Sequence, residues 1–136
     1  MKPIPFNPET DIAPIPFNKI HLDLALDMKQ RGLKWKPHVG CFIWDPDKHI
    51  DTDSPFPLSV YFILSLPRFI SIFGSPEAVA EKLVWLPTWH QARLIAARVG
   101  IDHNKFAKLW NSESLTAPGE ELSAIYRLIL EKLQSD

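Results

Sequence analysis

Two apolar runs constrain the fold of this chain more than any other feature of its sequence. From 39 to 44 every residue but Gly40 is apolar, and from 58 to 66 every residue but two serines is apolar. β-Branched and aromatic side chains dominate both runs, as they do in strands. Neither run has the regular polar positions of a sheet face that is open to water, so both faces need a cover. The sequence therefore predicts a small β-hairpin or sheet, at about residues 39–45 and 58–66, that is packed by helices.

Capping signals predict helices before and after these strands, most of them in the second half of the chain. A helix that follows Asn18 and ends near Gly32 is favoured by composition, although its apolar residues alternate as in a strand. Residues 67–73 are expected to form a short turn-rich piece that Gly74 closes, and residues 76–86 a helix. Three more helices are expected to begin at a capping box of Thr88 and Gln91, at Asp102 and at Pro118. The expected fold class is α+β.

The amino-terminal segment repeats the pentapeptide PIPFN, at residues 3–7 and 14–18. Prolines fix φ and lack a backbone donor, so this segment is predicted to be neither a helix nor a central strand. One interpretation is an extended arm that lays Phe6 and Phe17 on the domain surface, and the other is a ligand for an aromatic-lined groove in a partner. We expect residues 1–18 to form this arm and residues 19–136 a single compact α+β domain.

Length and composition predict one intracellular domain that does not enter a membrane. A chain of 136 residues with 46% hydrophobic and 23% charged residues is long enough to bury an ordinary core. Cys41 is the single cysteine and has no disulfide partner within the chain, and the first residues lack the apolar region of a secretory signal. The apolar stretch 58–73 is interrupted by Pro67 and Arg68 and is shorter than the roughly 20 residues that span a bilayer, so we expect it to be buried core. The predicted location is cytoplasmic, with no membrane partner.

The connection between the two predicted strands has the spacing of a metal-binding loop. Potential ligands stand at every second position, at Asp45, Asp47, His49, Asp51 and Asp53. In a calcium loop of EF-hand type, however, the sixth position needs Gly and the twelfth a bidentate Glu, where this chain has Ile50 and Phe56. Aspartates in loops also cap turns by accepting backbone N–H groups. Turn chemistry is the favoured interpretation, and a metal-assisted hydrolase at this loop is the alternative.

No other pattern in the sequence indicates catalysis or a cofactor. The chain has no Gly-rich phosphate loop, no G-x-S-x-G, no H-E-x-x-H and no C-x-x-C. Cys41 stands among apolar neighbours, where a thiol is expected to be buried rather than nucleophilic. His38, His90 and His103 lie in different predicted elements, and a single sequence does not show whether they meet. We therefore predict no cofactor and do not favour an enzyme.

Residues 91–111 have the spacing of two helices joined by a tight turn. Ala96 is a small residue in the first helix, Gly100 follows four positions later, and Ile101 is the apolar residue after it. Phe106 and Leu109 are apolar anchors in the second helix. Gly100 supplies a left-handed residue at the turn, and Ala96 permits close approach of the helices. This stretch resembles the helix-turn-helix of phage-repressor-like regulators.

The resemblance implies a DNA-binding face on the second helix. Its outward residues would be His103, Asn104, Lys105 and Lys108, with Asn104 suited to adenine edges and the lysines to phosphates or guanine. Four Lys or Arg residues against one Asp make residues 88–110 a modest basic patch on a chain whose net charge is −1. The alternative is a structural helix pair, because Gly followed by an apolar residue and Asp also ends one helix and caps the next.

The sequence leaves three functional hypotheses. The favoured one is a non-enzymatic protein-interaction module, which rests on the Pro-rich arm, on five tryptophans and eight phenylalanines, and on the lack of a catalytic set. The second is a DNA-binding helix-turn-helix protein, and the third is the metal-assisted hydrolase. The first implies a protein partner, the second implies nucleic acid, and homo-oligomer formation is left open. Packing of the arm onto the domain, together with burial of Trp35, Trp85, Trp89 and Trp110, would remove the support for the first.

Overall fold

The computed structural model describes residue 7, residues 9–111 and residues 119–135 of the chain. Within these residues it has six α-helices and three short strands, which confirms the predicted α+β class. In chain order they are α1 (Lys19–Gln30), β1 (Phe42–Trp44), β2 (Val60–Phe62), α2 (Leu66–Phe73), α3 (Pro76–Lys82), β3 (Val84–Leu86), α4 (Trp89–Arg98), α5 (His103–Trp110) and α6 (Glu120–Ser135). A 3₁₀ turn, Pro57–Ser59, leads into β2. None of the described helices is both long enough and apolar enough to cross a membrane.

The strands form one antiparallel sheet in the order β2-β1-β3, so β1 is central and both of its neighbours are edges. The predicted pairing of the two apolar runs is confirmed, with Ile43 opposite Tyr61. Both strands are nevertheless shorter than expected. The backbone turns before β1 at Gly40, with φ of 102°, and before β2 at Leu58, with φ of 64°. Such left-handed residues do not continue an extended strand, so each strand begins only after them, although the N–H of Gly40 still donates to the carbonyl of Ile63 at 2.9 Å.

The helix expected over residues 76–86 is wrong beyond Lys82. Residues 84–86 form β3, which pairs with β1 and adds the third strand to the sheet. Val84 and Leu86 are 1% and 0% exposed on one face of this strand. Strand pairing and burial stabilise these β-prone residues more than continuation of the helix would, and both depend on tertiary contacts. Residues 67–73 are likewise not a turn-rich piece but most of α2, which Gly74 ends in a left-handed conformation.

Two hydrophobic cores cover the two faces of the sheet, as the apolar runs require. Phe42, Val60 and Leu86 face the larger core, which α1, α4 and α6 complete. Cys41, Ile43 and the first residue after β2, Ile63, face the smaller core with side chains of α2 and α3. Alternate residues of each strand therefore enter different cores. The predicted two-sided cover is confirmed.

The amino-terminal ends of α1 and α6 are tied together through His21. Asn18 caps α1 as predicted, and its side chain accepts hydrogen bonds from the backbone N–H groups of Ile20 and His21. The imidazole is 2% exposed, and its Nδ1 accepts from the N–H of Asn18 at 3.2 Å. Its Nε2 donates to the carbonyl oxygen of Gly119 at 3.0 Å, so the neutral ring carries its proton on Nε2. His21 is therefore a buried core residue whose two ring nitrogens are both hydrogen-bonded.

The amino-terminal arm packs onto the domain at its last residues. Phe17 is 5% exposed, and its ring centroid lies 5.4 Å from that of Phe42. Ile12, by contrast, is 96% exposed. Docking of the arm is thus confirmed for Phe17, whereas Phe6, for which the same contact is predicted, lies outside the described residues.

Burial of His21 makes the stability of this protein depend on pH. Loss of water around the imidazole lowers its pKa below the ordinary 6.5, the bond to Gly119 opposes this shift, and the charge of Arg127 adds to it. Below pH 6.5 the unfolded chain therefore binds more protons than the folded chain, so the free energy of unfolding falls as the pH drops towards the lowered value. We expect His21→Gln to flatten this fall, measured by urea unfolding between about pH 7 and pH 5.5.

The control for this measurement is His90→Gln, which removes an exposed imidazole from α4. His21→Gln also loses two hydrogen bonds and is expected to be less stable at every pH. The quantity to compare is therefore the slope of the free energy of unfolding against pH, rather than its value. Equal slopes in the wild type and in His21→Gln would assign the pH dependence to other groups.

Candidate functional site

An open cleft of about 740 Å³ lies beside strand β2. One wall is the loop that joins β1 to β2, and the other is helix α2. The loop, the strand with the residues that follow it, and the helix all contribute apolar side chains to the lining: Phe56, Tyr61, Phe62, Leu64, Phe69 and Ile72. We call this feature the β2-edge cleft.

Three large apolar side chains of this cleft are open to solvent. Leu64 is 76% exposed, Ile72 is 50% exposed and Phe62 is 39% exposed. Single exposed apolar residues are ordinary on protein surfaces, whereas several that line one cleft mark an interaction site. The expectation that residues 58–73 are buried core is therefore right for Val60 and Ile63, which are 0% exposed, and wrong for these three. They lie at or beyond the end of an edge strand and on the outer side of a surface helix, where no element of the described part of the chain covers them.

Among the described residues, no hydrogen bond pairs the backbone groups of Phe62 on β2 that point away from β1. The N–H of Ile63 donates to the carbonyl of Cys41 at 2.8 Å, and the carbonyl of Ser59 accepts from Asp45 at 3.1 Å, so odd-numbered residues bond to β1. Even-numbered residues therefore direct their polar groups away from β1. At Val60 the loop uses these groups, since Ser54 Oγ donates to its carbonyl and its N–H donates to the carbonyl of Pro57. The loop stops there, and Phe62 is the next position along the free edge.

The loop wall of the cleft is held by one buried carboxylate and one tyrosine. Asp45 is 1% exposed, its Oδ1 accepts from the N–H of His49 at 3.1 Å, and its Oδ2 accepts from the N–H of Ile50 at 2.8 Å. Turn chemistry is therefore confirmed for Asp45. Tyr61 donates its hydroxyl to the carbonyl of Thr52 at 2.7 Å. These contacts fix both ends of the acidic segment that borders the cleft.

The alternating Asp and His side chains do not converge on a point. Both oxygens of Asp45 accept backbone N–H groups, and His49 Nδ1 lies 3.5 Å from Asp45 Oδ1. Asp47, Asp51 and Asp53 are exposed. Across residues 9–111 and 119–135 there is no group of three or more His, Cys, Asp or Glu side chains placed to hold a metal ion. His38, His90 and His103 are thus not gathered into such a group.

The charges of the loop reach into the cleft. Burial raises the pKa of the Tyr61 hydroxyl, and the carboxylates of Asp45, Asp53 and Asp51 raise it further. The three carboxylates act in the same way, because each adds to a negative potential at the Tyr61 hydroxyl. Arg68 supplies a positive charge on the opposite wall, from α2. The cleft is therefore apolar at its base and charged at its rim.

The helix pair predicted at residues 91–111 consists of α4 and α5. Gly100 has φ of 81°, and Ile101 N–H donates to the carbonyl of Ala96 at 3.0 Å, which closes α4 with a left-handed cap. Asp102 caps α5 by accepting from the N–H of Asn104 at 2.9 Å. Ala96 is 0% exposed and Phe106 is 4% exposed, both within the larger core. The predicted turn, cap and buried anchors are confirmed, and DNA binding by this pair stays a prediction.

The proposed DNA-binding residues lie on the open side of α5. His103, Asn104, Lys105 and Lys108 are all exposed. The guanidinium of Arg93 on α4 lies 4.3 Å from the centroid of the Phe106 ring, a contact that joins the two helices.

The tryptophans divide between interior and surface. Trp35 and Trp85 are partly buried and stack with their ring centroids 5.9 Å apart, whereas Trp89 is 46% exposed. The side chain of Trp110 lies outside the described part of the structure. Cys41 is buried and burial raises its thiol pKa, which agrees with the predicted lack of nucleophilic character.

No protein-family model, no curated protein and no solved structure matches this chain. The function is therefore inferred from the geometry of the site itself. Sequence reasoning missed Phe62, Leu64 and Ile72 as surface residues because apolar runs are assigned to the core by default. The sequence feature that indicated an exposed side of this segment was Arg68, a charged residue that interrupts the apolar run.

Replacement of Asp45 by Ala is expected to destabilise the protein by about 1–3 kcal/mol, because two backbone N–H groups lose their acceptor. Asp53→Ala, at an exposed position of the same loop, is expected to change stability by less than about 0.5 kcal/mol. Urea unfolding in the presence of a chelator measures both. If the loop held a cation, the difference in stability between the two variants would instead appear only when calcium or zinc was added.

Proposed function

We propose that this protein acts by binding rather than by catalysis, and that the β2-edge cleft takes an extended, apolar segment of a protein partner. The observation that carries the proposal is the position of the cleft. Its exposed apolar lining at Phe62, Leu64 and Ile72 adjoins the one described place on β2 where the outward backbone groups have no partner from the loop. Apolar contact and backbone hydrogen bonding are thus available to the same ligand.

Strand addition is the mode of recognition that uses both features. An extended segment that pairs with an exposed edge gains main-chain hydrogen bonds, and its alternate side chains enter pockets beside the edge. Here the N–H and carbonyl of Phe62 supply the hydrogen bonds. The rings of Phe56 and Phe69, which are partly buried in the walls, supply the apolar contact. A helical segment of a partner could not pair with the backbone of β2, because its own backbone N–H and carbonyl groups are already hydrogen-bonded within the helix.

Charge favours a partner segment with a basic residue beside its apolar ones. Asp51 and Asp53 border the cleft on the loop wall, and their effect on the pKa of Tyr61 places negative potential within it. A Lys or Arg of the partner would form favourable contacts with these carboxylates on the loop wall. An acidic residue of the partner would find its only complementary charge in this cleft on the opposite wall, at Arg68. One short edge and one cleft offer a small contact area, which is typical of transient complexes.

Selection from a displayed library of random peptides tests the proposal. We expect enriched sequences to combine β-branched or aromatic residues with Lys or Arg, and Leu64→Asp to weaken their binding by at least about tenfold, since it places a charge in the apolar lining. The matched control is Leu94→Asp on α4, which changes an exposed leucine outside the cleft in the same way. Both leucines are exposed, so both variants are expected to fold.

Two results would contradict peptide binding at this cleft. One is a selection that enriches no sequence over a blank. The other is a set of enriched peptides that bind Leu64→Asp as tightly as Leu94→Asp. Replacement of alternate backbone N–H groups of a bound peptide by N-methyl groups then separates strand addition, which loses affinity, from binding by side chains alone.

A second candidate function, duplex DNA binding by α5, is favoured by the observation that His103, Asn104, Lys105 and Lys108 share the exposed side of a helix whose other side is anchored by Phe106. The core requires the anchor, but it does not require this polar face. In the helix-turn-helix proteins that the stretch resembles, the corresponding face enters the major groove.

Titration of mixed-sequence duplex DNA at low and moderate salt tests this second candidate. We expect salt-dependent binding that Lys105→Glu/Lys108→Glu weakens, with a salt slope reduced by about one for each lysine that contacts a phosphate. The charge-matched control is Lys19→Glu/Lys82→Glu, which changes two exposed lysines elsewhere on the surface. Absence of binding at low salt would leave α4 and α5 as a structural pair.

A further inference from the structure

A second cleft lies at the other edge of the sheet, beside the segment that joins α1 to β1. This segment, residues 33–38 with the sequence LKWKPH, alternates in burial along its length. Leu33, Trp35 and Pro37 turn inward, while the residues between them are exposed. Trp35 stacks on Trp85 of β3, with ring centroids 5.9 Å apart and planes 14° from parallel. The segment is therefore extended, and one of its sides faces solvent as a row.

The row that faces solvent is basic. Lys34, Lys36 and His38 occupy alternate positions, which in an extended chain are about 6.6 Å apart along the backbone. Arg98, from the end of α4, lines the same cleft of about 560 Å³. The floor is apolar and aromatic, with Leu33, Trp35, Trp85, Ile95 and Val99. We call this feature the indole pocket.

The described residues around this pocket do not neutralise its charge. None of the described lining residues is acidic, and no salt bridge within the described part of the chain joins Lys34, Lys36 or Arg98 to a carboxylate. The Nδ1 of His38 donates to the carbonyl of Val39 at 2.8 Å, which leaves Nε2 of the neutral ring as an acceptor, so the cations of the pocket are the two lysines and Arg98. On a chain whose net charge is −1, such a concentration of unpaired cations is a local exception.

The indole nitrogens add an independent observation. The Nε1 atoms of Trp35 and Trp85 are buried and have no hydrogen-bond partner. Buried N–H donors almost always have a hydrogen-bond partner, so each exception needs an explanation. Both exceptions in the described residues belong to the two rings that form the floor of this pocket.

We propose that the indole pocket binds a phosphorylated nucleoside, with the base against the Trp35–Trp85 stack and the phosphate between Lys34, Lys36 and Arg98. Aromatic platforms flanked by cations are the means by which proteins hold nucleotides without reading their sequence. An inorganic anion would use the cations but not the rings, and an uncharged aromatic ligand would use the rings but not the cations. The same chemistry serves a free nucleotide and a single-stranded nucleic acid, for which the row of cations at alternate residues provides successive phosphate contacts.

This inference does not depend on the proposed function. The indole pocket shares no lining residue with the β2-edge cleft, and none with the exposed face of α5. A negative binding result at one of these surfaces therefore does not contradict the proposals for the other two.

Quenching of tryptophan fluorescence tests the proposal, with four probes: adenosine monophosphate, adenosine, inorganic phosphate and a short oligothymidine, each at low and moderate salt. We expect a compound with base and phosphate together to bind at least about tenfold more tightly than either part alone. Lys34→Glu/Lys36→Glu is expected to weaken this binding by about tenfold or more, and Arg98→Gln to weaken it in the same direction. The charge-matched control, Lys19→Glu/Lys82→Glu, replaces two exposed lysines outside this pocket and is expected to leave it unchanged.

The two nucleotide probes distinguish the sources of the ligand. Tight binding of adenosine monophosphate assigns the pocket to a free nucleotide, and salt-dependent binding of the oligothymidine alone assigns it to a single strand. The proposal is overturned if neither probe binds, if inorganic phosphate binds as tightly as the nucleotide, or if the two double-lysine variants lose affinity equally. All the replaced side chains are exposed, so circular dichroism is expected to show the same fold in every variant.

Discussion

Strand β1 is hydrogen-bonded on both edges and buried on both faces, and the other elements are arranged around it. Its neighbours in the sheet are β2 and β3, and its residue Ile43, 0% exposed, enters the smaller core while Phe42 enters the larger one. Strands of three residues are too short to be stable by pairing alone. Burial on both faces supplies the missing stabilisation, so α1, α4 and α6 must lie on one side of the sheet and α2 with α3 on the other.

A central β1 leaves β2 and β3 as edges, and the protein treats its two edges differently. At β3, Trp35 covers Trp85, and Lys29 Nζ donates to the carbonyl of Leu83 at 2.9 Å just before the strand. At β2 the loop covers Val60 and ends there. Open edges invite pairing with other chains, which natural proteins usually prevent. The β2 edge is therefore the less protected of the two in the described part of the chain.

The surfaces at these two edges carry opposite charge. Asp51 and Asp53 border the cleft beside β2, whereas Lys34 and Lys36 border the pocket beside β3. A net charge of −1 conceals this division, because it sums over both sides of the sheet. Electrostatic recognition depends on local potential rather than on the total, so a nearly neutral chain still offers one surface to basic ligands and another to anionic ones. The helix pair α4 and α5 serves the core through Ala96 and Phe106 whatever its outer face binds.

The sequence by itself determined the features that depend on neighbours in the chain. These are the α+β class, the two apolar strands, the capping residues Asn18, Thr88 and Asp102, the turn at Gly100 and the turn role of Asp45. Capping and turn formation involve atoms only a few residues apart, which is why pattern and composition predict them. Sequence also indicated correctly that Cys41 is buried.

Tertiary structure alone decided which apolar and which basic residues share a surface. Val84–Leu86 became a strand because β1 offered it a partner, and Leu64 and Ile72 stayed exposed because none of the described elements packs over them. Lys34, Lys36 and Arg98 are more than 60 residues apart at their extremes and meet only when α4 packs near the segment after α1. Contacts of this kind depend on the packing of whole elements, so no local pattern in the chain records them.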